Sequence, residues 1–199
     1  MRRRLAWWVE RPAEHARFLN TLALMEHIGS RKIMVSQTRG SLGQEILKHL
    51  AEETRHAYFF KRAAESLARR PLQFDETDAI RPDSARMYFG RLDATIDDAL
   101  GANSHVEVPY LYVSLIIELR AIWTYRLYQD VLSERSAGVS LKSVLAEEEL
   151  HLEQMTRRLR EIGAEPEARV PGFASIEDRL FRTLWARLDG ACTILPQAA

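Results

Sequence analysis

The sequence Glu-x-x-His occurs twice, as Glu53-Thr54-Arg55-His56 and as Glu148-Glu149-Leu150-His151. On a helix, positions i and i+3 share a face, so each motif sets a carboxylate beside an imidazole. Two such faces can hold metal ions between them. Glu26 and Glu118 lie on apolar stripes of two other helical segments, where an unpaired charge is costly to bury. Each is therefore paired, protonated or bound to a metal. Short motifs arise by chance, so the reading depends on where the helices place them.

Pro12 suits a first helical turn, and Phe18, Leu22, Met25, Gly29 and Ile33 then recur at helical spacing, which predicts a helix over 12–36. Gln37 to Gly40 read as a loop, and Ser41-Leu42-Gly43-Gln44 has the spacing of a capping box. A second helix follows over 42–69, with Leu42, Ile46, His49, Glu53, His56 and Phe60 on its inner stripe. Glu52 lies about 100° round from Glu53 and is expected to face outward. After Pro71 and a polar run, Pro82 opens a helix over 83–100, closed by Gly101 to Ser104. A third long helix, 106–135, carries Leu111, Leu115, Glu118, Ile122 and Tyr125 on its stripe. The fourth, 141–163, carries Leu141, Val144, Leu145, Glu148, His151, Met155 and Leu159. Glu147 stands four before His151, but the flanking apolar residues place Glu148 at the centre. Pro171-Gly172 reads as a linker before a last helix over 176–190.

Strand signals are missing, so the fold class is all-α. Short loops make the first and second long helices antiparallel, and likewise the third and fourth. The residues between these hairpins suffice to recross a helix of about 42 Å. The topology expected is a four-helix bundle of two hairpins joined by one crossover that contains the helix 83–100, plus the C-terminal helix. The separations Glu26 to Glu53 and Glu118 to Glu148 are 27 and 30 residues. In antiparallel hairpins such spacings bring all four carboxylates and both histidines to mid-bundle.

The chain has 199 residues, 46% hydrophobic and 28% charged, which predicts a single domain over 1–199. Basic and acidic residues number 28 each, so neither a nucleic-acid partner nor a disordered acidic chain is indicated. Cys192 is the sole cysteine. It excludes an intramolecular disulfide and a rubredoxin-like module, and a cytoplasmic location is expected. No apolar run is long enough to span a membrane. The Arg2-Arg3-Arg4 and Trp7-Trp8 segment is not a secretory signal, and is expected to pack its tryptophans on the bundle.

On Glu26, Glu53-x-x-His56, Glu118 and Glu148-x-x-His151, the chain resembles the ferritin-like di-iron carboxylate superfamily over 12–163. The group includes rubrerythrins, bacterioferritins and di-iron oxygenases, and its pattern is one Glu from each of two helices plus Glu-x-x-His from each of the others. The resemblance implies two iron ions, or manganese. It implies terminal ligands Glu26 and Glu118, bridging Glu53 and Glu148, and one histidine, His56 or His151, per metal. Some arylamine N-oxygenases of the superfamily carry an extra histidine four before a ligating Glu, on the other Glu-x-x-His helix. His49 has that spacing from Glu53, and is read either as a seventh ligand or as a packing side chain. Tyr125, two turns beyond Glu118, is either a catalytic tyrosine or an ordinary core residue. Arg55 and Arg120 are candidates to neutralise charge around the ligands.

The function implied is an O2-dependent oxidase or hydroxylase acting on a small organic molecule. A ferroxidase or iron-handling protein is the first alternative. Ile117-Glu118 with Arg120 also resembles tRNA hydroxylases. A non-catalytic helical interaction protein is the reading from outside enzymology. The terminal and crossover helices suggest a homodimer.

Overall fold

A computed structural model describes residues 1–36, 43–101 and 105–191, and those residues form seven helices and no strand. Ser41 and Leu42 of the expected capping box, the loop 37–40, residues 102–104 and Cys192 lie outside the described residues. No described helix is long and apolar enough to cross a membrane.

α1 (Arg2–Val9) buries Leu5 and Trp8 completely and leaves Arg2 and Arg3 exposed. Trp8 stacks on Phe18 with ring centroids 4.4 Å apart and meets the edge of Trp185 at 5.5 Å. The Arg-Trp segment thus packs into the molecule, with the Arg4 and Arg11 guanidiniums over the Trp7 ring.

α2 (Pro12–Ser36) packs along α3 (Gln44–Ala68). Lys61 bonds Asn20 while Glu53 lies against Gly29, so the two helices run in opposite directions. α5 (Val108–Glu134) packs along α6 (Lys142–Glu161) in the same manner. There the Arg158 guanidinium donates to Glu107 at one end, and the Leu141 N–H donates to Gln129 at the other. α2 faces α5, and α3 faces α6.

α4 (Pro82–Leu100) lies in the long connection between α3 and α5 and packs on α2, α5 and α7. The segment before it is fastened to α2 by two fully buried polar side chains. Asn20 donates to the carbonyls of Gln73 and Asp78, and Thr21 accepts the Ile80 N–H at 2.7 Å. These bonds satisfy backbone groups that burial would otherwise leave unpaired.

α7 (Pro166–Gly190) corrects the expected C-terminal helix. It begins ten residues earlier than 176, and Pro171-Gly172 sits inside its second turn instead of forming a linker. So near an N-terminus, Pro171 forfeits only the one bond to the Glu167 carbonyl. Anchors on either side offset that loss. Phe173 packs on Tyr112 at 5.0 Å, the Tyr112 hydroxyl donates to the Ala164 carbonyl, and Arg120 clasps Glu177. With α1, α2, α4, α6 and α7 all against it, α5 is buried on most sides. This explains the nearly continuous apolar run that flanks Glu118.

Candidate metal centre

Four helices supply the cluster. α2 brings Glu26, α3 brings His49, Glu53 and His56, α5 brings Glu118, and α6 brings Glu148 and His151. All seven residues are buried, none more than 7% exposed. They form two groups of four, His49–Glu53–Glu118–His151 and Glu26–Glu53–His56–Glu148. Within each group the candidate ligand atoms lie within 4.8 Å of one another, a geometry that could hold a metal ion. Glu53 belongs to both groups. Glu148 lies between them, with Oε1 3.2 Å from His56 Nδ1 and Oε2 3.2 Å from His151 Nδ1.

Several of these atoms face each other at distances too long for hydrogen bonds. Glu53 Oε1 is 3.6 Å from each of His49 Nε2, His56 Nδ1 and His151 Nδ1, and Glu118 Oε1 is 3.4 Å from His49 Nε2. His49 Nε2, Glu53 Oε1 and His56 Nδ1 are buried without a hydrogen-bond partner. Each such orphan costs about 1–3 kcal/mol. Donor atoms at about 2.0–2.2 Å from an ion stand about 3–4 Å from one another, which is the spacing seen here. The donor set therefore has the spacing of metal ligands and not of mutual hydrogen bonds.

The far side of each imidazole is also held. His56 Nε2 donates to Glu147 Oε2 at 2.7 Å, and His151 Nε2 donates to Glu52 Oε2 at 2.9 Å. His49 Nδ1 and the Tyr110 hydroxyl share a hydrogen bond of 2.8 Å. Such bonds fix the tautomer that leaves the other nitrogen facing the centre. The pattern is reciprocal, because the glutamate preceding each Glu-x-x-His secures the histidine of the other one. Glu52 therefore corrects the expectation that it faces outward. Its side chain is 13% exposed and reaches across to α6. Arg55 bonds Glu147 and lies 3.9 Å from Glu52, so it does offset charge beside the cluster.

Arg120 does not. It turns to α7, where it makes a two-pronged pair with Glu177 and also reaches Asp178. Tyr88 donates to the same buried Glu177 at 2.7 Å. Glu177 escaped the sequence reading because its helix was expected to start only at 176. Tyr125 is buried, and its hydroxyl donates to Glu26 Oε1.

The electrostatics follow from the packing. Burial opposes charging the imidazoles, but the facing carboxylates outweigh it. Glu118 and Glu53 lift His49 to about 9, Glu148 and Glu53 lift His56 to about 12, and Glu118 and Glu148 lift His151 to about 11. Burial, with Glu53 and Glu148 beside it, holds Glu26 well above the usual carboxylate range, and burial with Glu118 raises Glu148. Burial also pushes on Glu53 and Glu118, but there the histidines prevail and both end below the ordinary value.

Two hollows reach the cluster. A mostly apolar pocket of about 60 Å³ lies among α2, α4, α5 and α7, and a cleft of about 370 Å³ opens between α2 and α5. Gly29, Glu53, Ile117 and Glu118 border both. A Cβ on Gly29 would stand 3.4 Å from Glu53 Oε2, so the bare backbone there leaves room beside that carboxylate. Comparison of the chain with protein-family models, with curated proteins and with solved structures gives no match.

Proposed function

We propose that the chain is a ferritin-like di-metal carboxylate protein that holds two iron ions, or manganese, and acts as an O2-dependent oxidoreductase on a small organic molecule. The observation that carries this reading is the pair of four-donor groups sharing Glu53, with three buried donor atoms left without any other partner. A set of four carboxylates and three imidazoles, with no thiolate, suits iron or manganese over softer metals. Two ferrous ions, when bound, supply the two electrons that dioxygen takes up. The chain's own residues do the rest. Glu53, common to both groups, and Glu148, between their histidines, would hold the ions together with Glu26 on one side and Glu118 on the other. Glu52 and Glu147 hold His151 and His56 in the ligating tautomer. The Tyr125 hydroxyl fixes one oxygen of Glu26 and leaves the other free to turn toward the centre. The apolar pocket keeps bulk water from that side.

The cleft of about 370 Å³ favours an organic substrate over iron handling, because it brings apolar wall and cluster together. Metal analysis of the native protein tests the centre, and oxygen uptake after anaerobic reduction tests the chemistry. The expected result is two ions per chain and stoichiometric O2 consumption, with Glu53→Ala and Glu148→Ala folded but metal-poor. A native protein with no bound transition metal would overturn the reading.

A further inference from the structure

The cleft above the cluster has two chemically different ends. Its floor is His49, Glu53 and Glu118. Its walls are aliphatic, with Ile28 and Ile33 on α2 and Val113 and Ile117 on α5. Its rim carries Arg31 and Lys32, five and six residues beyond Glu26, or about 8 Å along the helix. Lys32 is neutralised by Asp93 at 2.6 Å. Arg31 makes no ion pair with any described carboxylate, so the rim keeps one uncompensated guanidinium.

We infer that this cleft binds a small monocarboxylate, with its carboxylate on Arg31 at the rim and its apolar body running down to the cluster. A guanidinium recognises a carboxylate through paired N–H donors, and it keeps its charge at any working pH. The aliphatic walls between rim and floor suit an apolar body, so the placing of Arg31 at the rim orients the ligand. Its volume corresponds to about a dozen water molecules, the size of a short fatty acid or of one aromatic ring with a side chain. The carbon furthest from the carboxylate is then the one brought to Glu53 and Glu118. This assignment rests on the dinuclear reading for its purpose, but not for its binding chemistry.

Calorimetry with octanoate and 1-octanol as probes, on metal-free protein and on protein loaded with redox-silent zinc, tests it. Octanoate should bind at least tenfold tighter than octanol. Arg31→Glu should remove that preference while octanol binding stays unchanged, since Arg31 is exposed. Ser114→Phe, which places a ring in the cleft, should abolish both. Equal binding of the two probes, or none, overturns the proposal. So does octanoate binding that survives Arg31→Glu unchanged, or binding that vanishes only when zinc is withheld, which would put the carboxylate on the metal. Zinc content is measured on the same samples. Two ions per chain without octanoate binding rejects the carboxylate site alone, and octanoate binding without metal uptake rejects the dinuclear centre alone.

Discussion

Loading the cluster should expel protons, and their number can be worked from the structure. At pH 7 the metal-free protein carries protonated His49, His56 and His151, because facing carboxylates lift them to about 9, 12 and 11. An imidazole must be neutral to ligate. Three protons therefore leave if all three histidines bind, and the raised carboxyl of Glu26 can add a fourth. The perturbation is anaerobic addition of two equivalents of Fe(II), or of Mn(II) as a redox-silent control, to metal-free protein in a weakly buffered solution. Proton release is read with an indicator dye or a pH-stat. The expected release is three to four per chain, so the apparent affinity for the pair of ions should rise roughly a thousandfold per pH unit near neutrality. His49→Gln should lower the count by one and show whether that side chain ligates. Release of less than one proton per chain, with two ions bound, would refute the account of how the empty cluster balances its charge.

Glu52→Ala and Glu147→Ala should each weaken metal binding about 10- to 100-fold without loss of helix content, because each frees the far nitrogen of one histidine; competition with a chromophoric chelator measures it. His15 is buried against Tyr128, and burial lowers it to about 4. An unfolded histidine titrates near 6.5, so the unfolded chain takes up the proton first and stability falls as pH drops from 6.5 toward 4, by about 3 kcal/mol. Urea midpoints at pH 7 and pH 4.5 should show this loss in the wild type and a smaller one in His15→Gln. Trp8→Ala should destabilise by about 3–5 kcal/mol in urea, since the indole is fully buried between Phe18 and Trp185. Pro171→Ala should stabilise by about 1–2 kcal/mol, restoring the one missing helical bond; thermal melts read it.

The long helices were legible because their apolar stripes are strict. α2 spans the 12–36 expected for it, and α4 begins within one residue of its expected start. The clustering of Glu26 with Glu53, His56 and Glu148 was legible as well, because a carboxylate inside an apolar stripe has few bland explanations. Glu52 was not, since angular position on one helix says nothing about how far a glutamate reaches toward the next. Its signal was the repeated Glu-Glu-x-x-His, in which both motifs carry the same extra acid. The place of His49 followed from its spacing, but its face toward Glu118 depends on where α5 lies. α7 departs from the expectation because proline near a helix start costs little when neighbouring side chains anchor it.

The exchange of glutamates between the two motifs bears on how the protein is assembled. Neither hairpin alone holds a complete set of donors, and neither can orient its own histidine. α2 with α3 offers Glu26, His49, Glu53 and His56, but the brace on His56 comes from α6; α5 with α6 lacks the brace that α3 gives to His151. On the proposed dinuclear reading, tight metal capture would follow docking of the hairpins, and each captured ion would act as a rivet across the seam. A chelator should loosen the association of the hairpins before it unwinds any single helix.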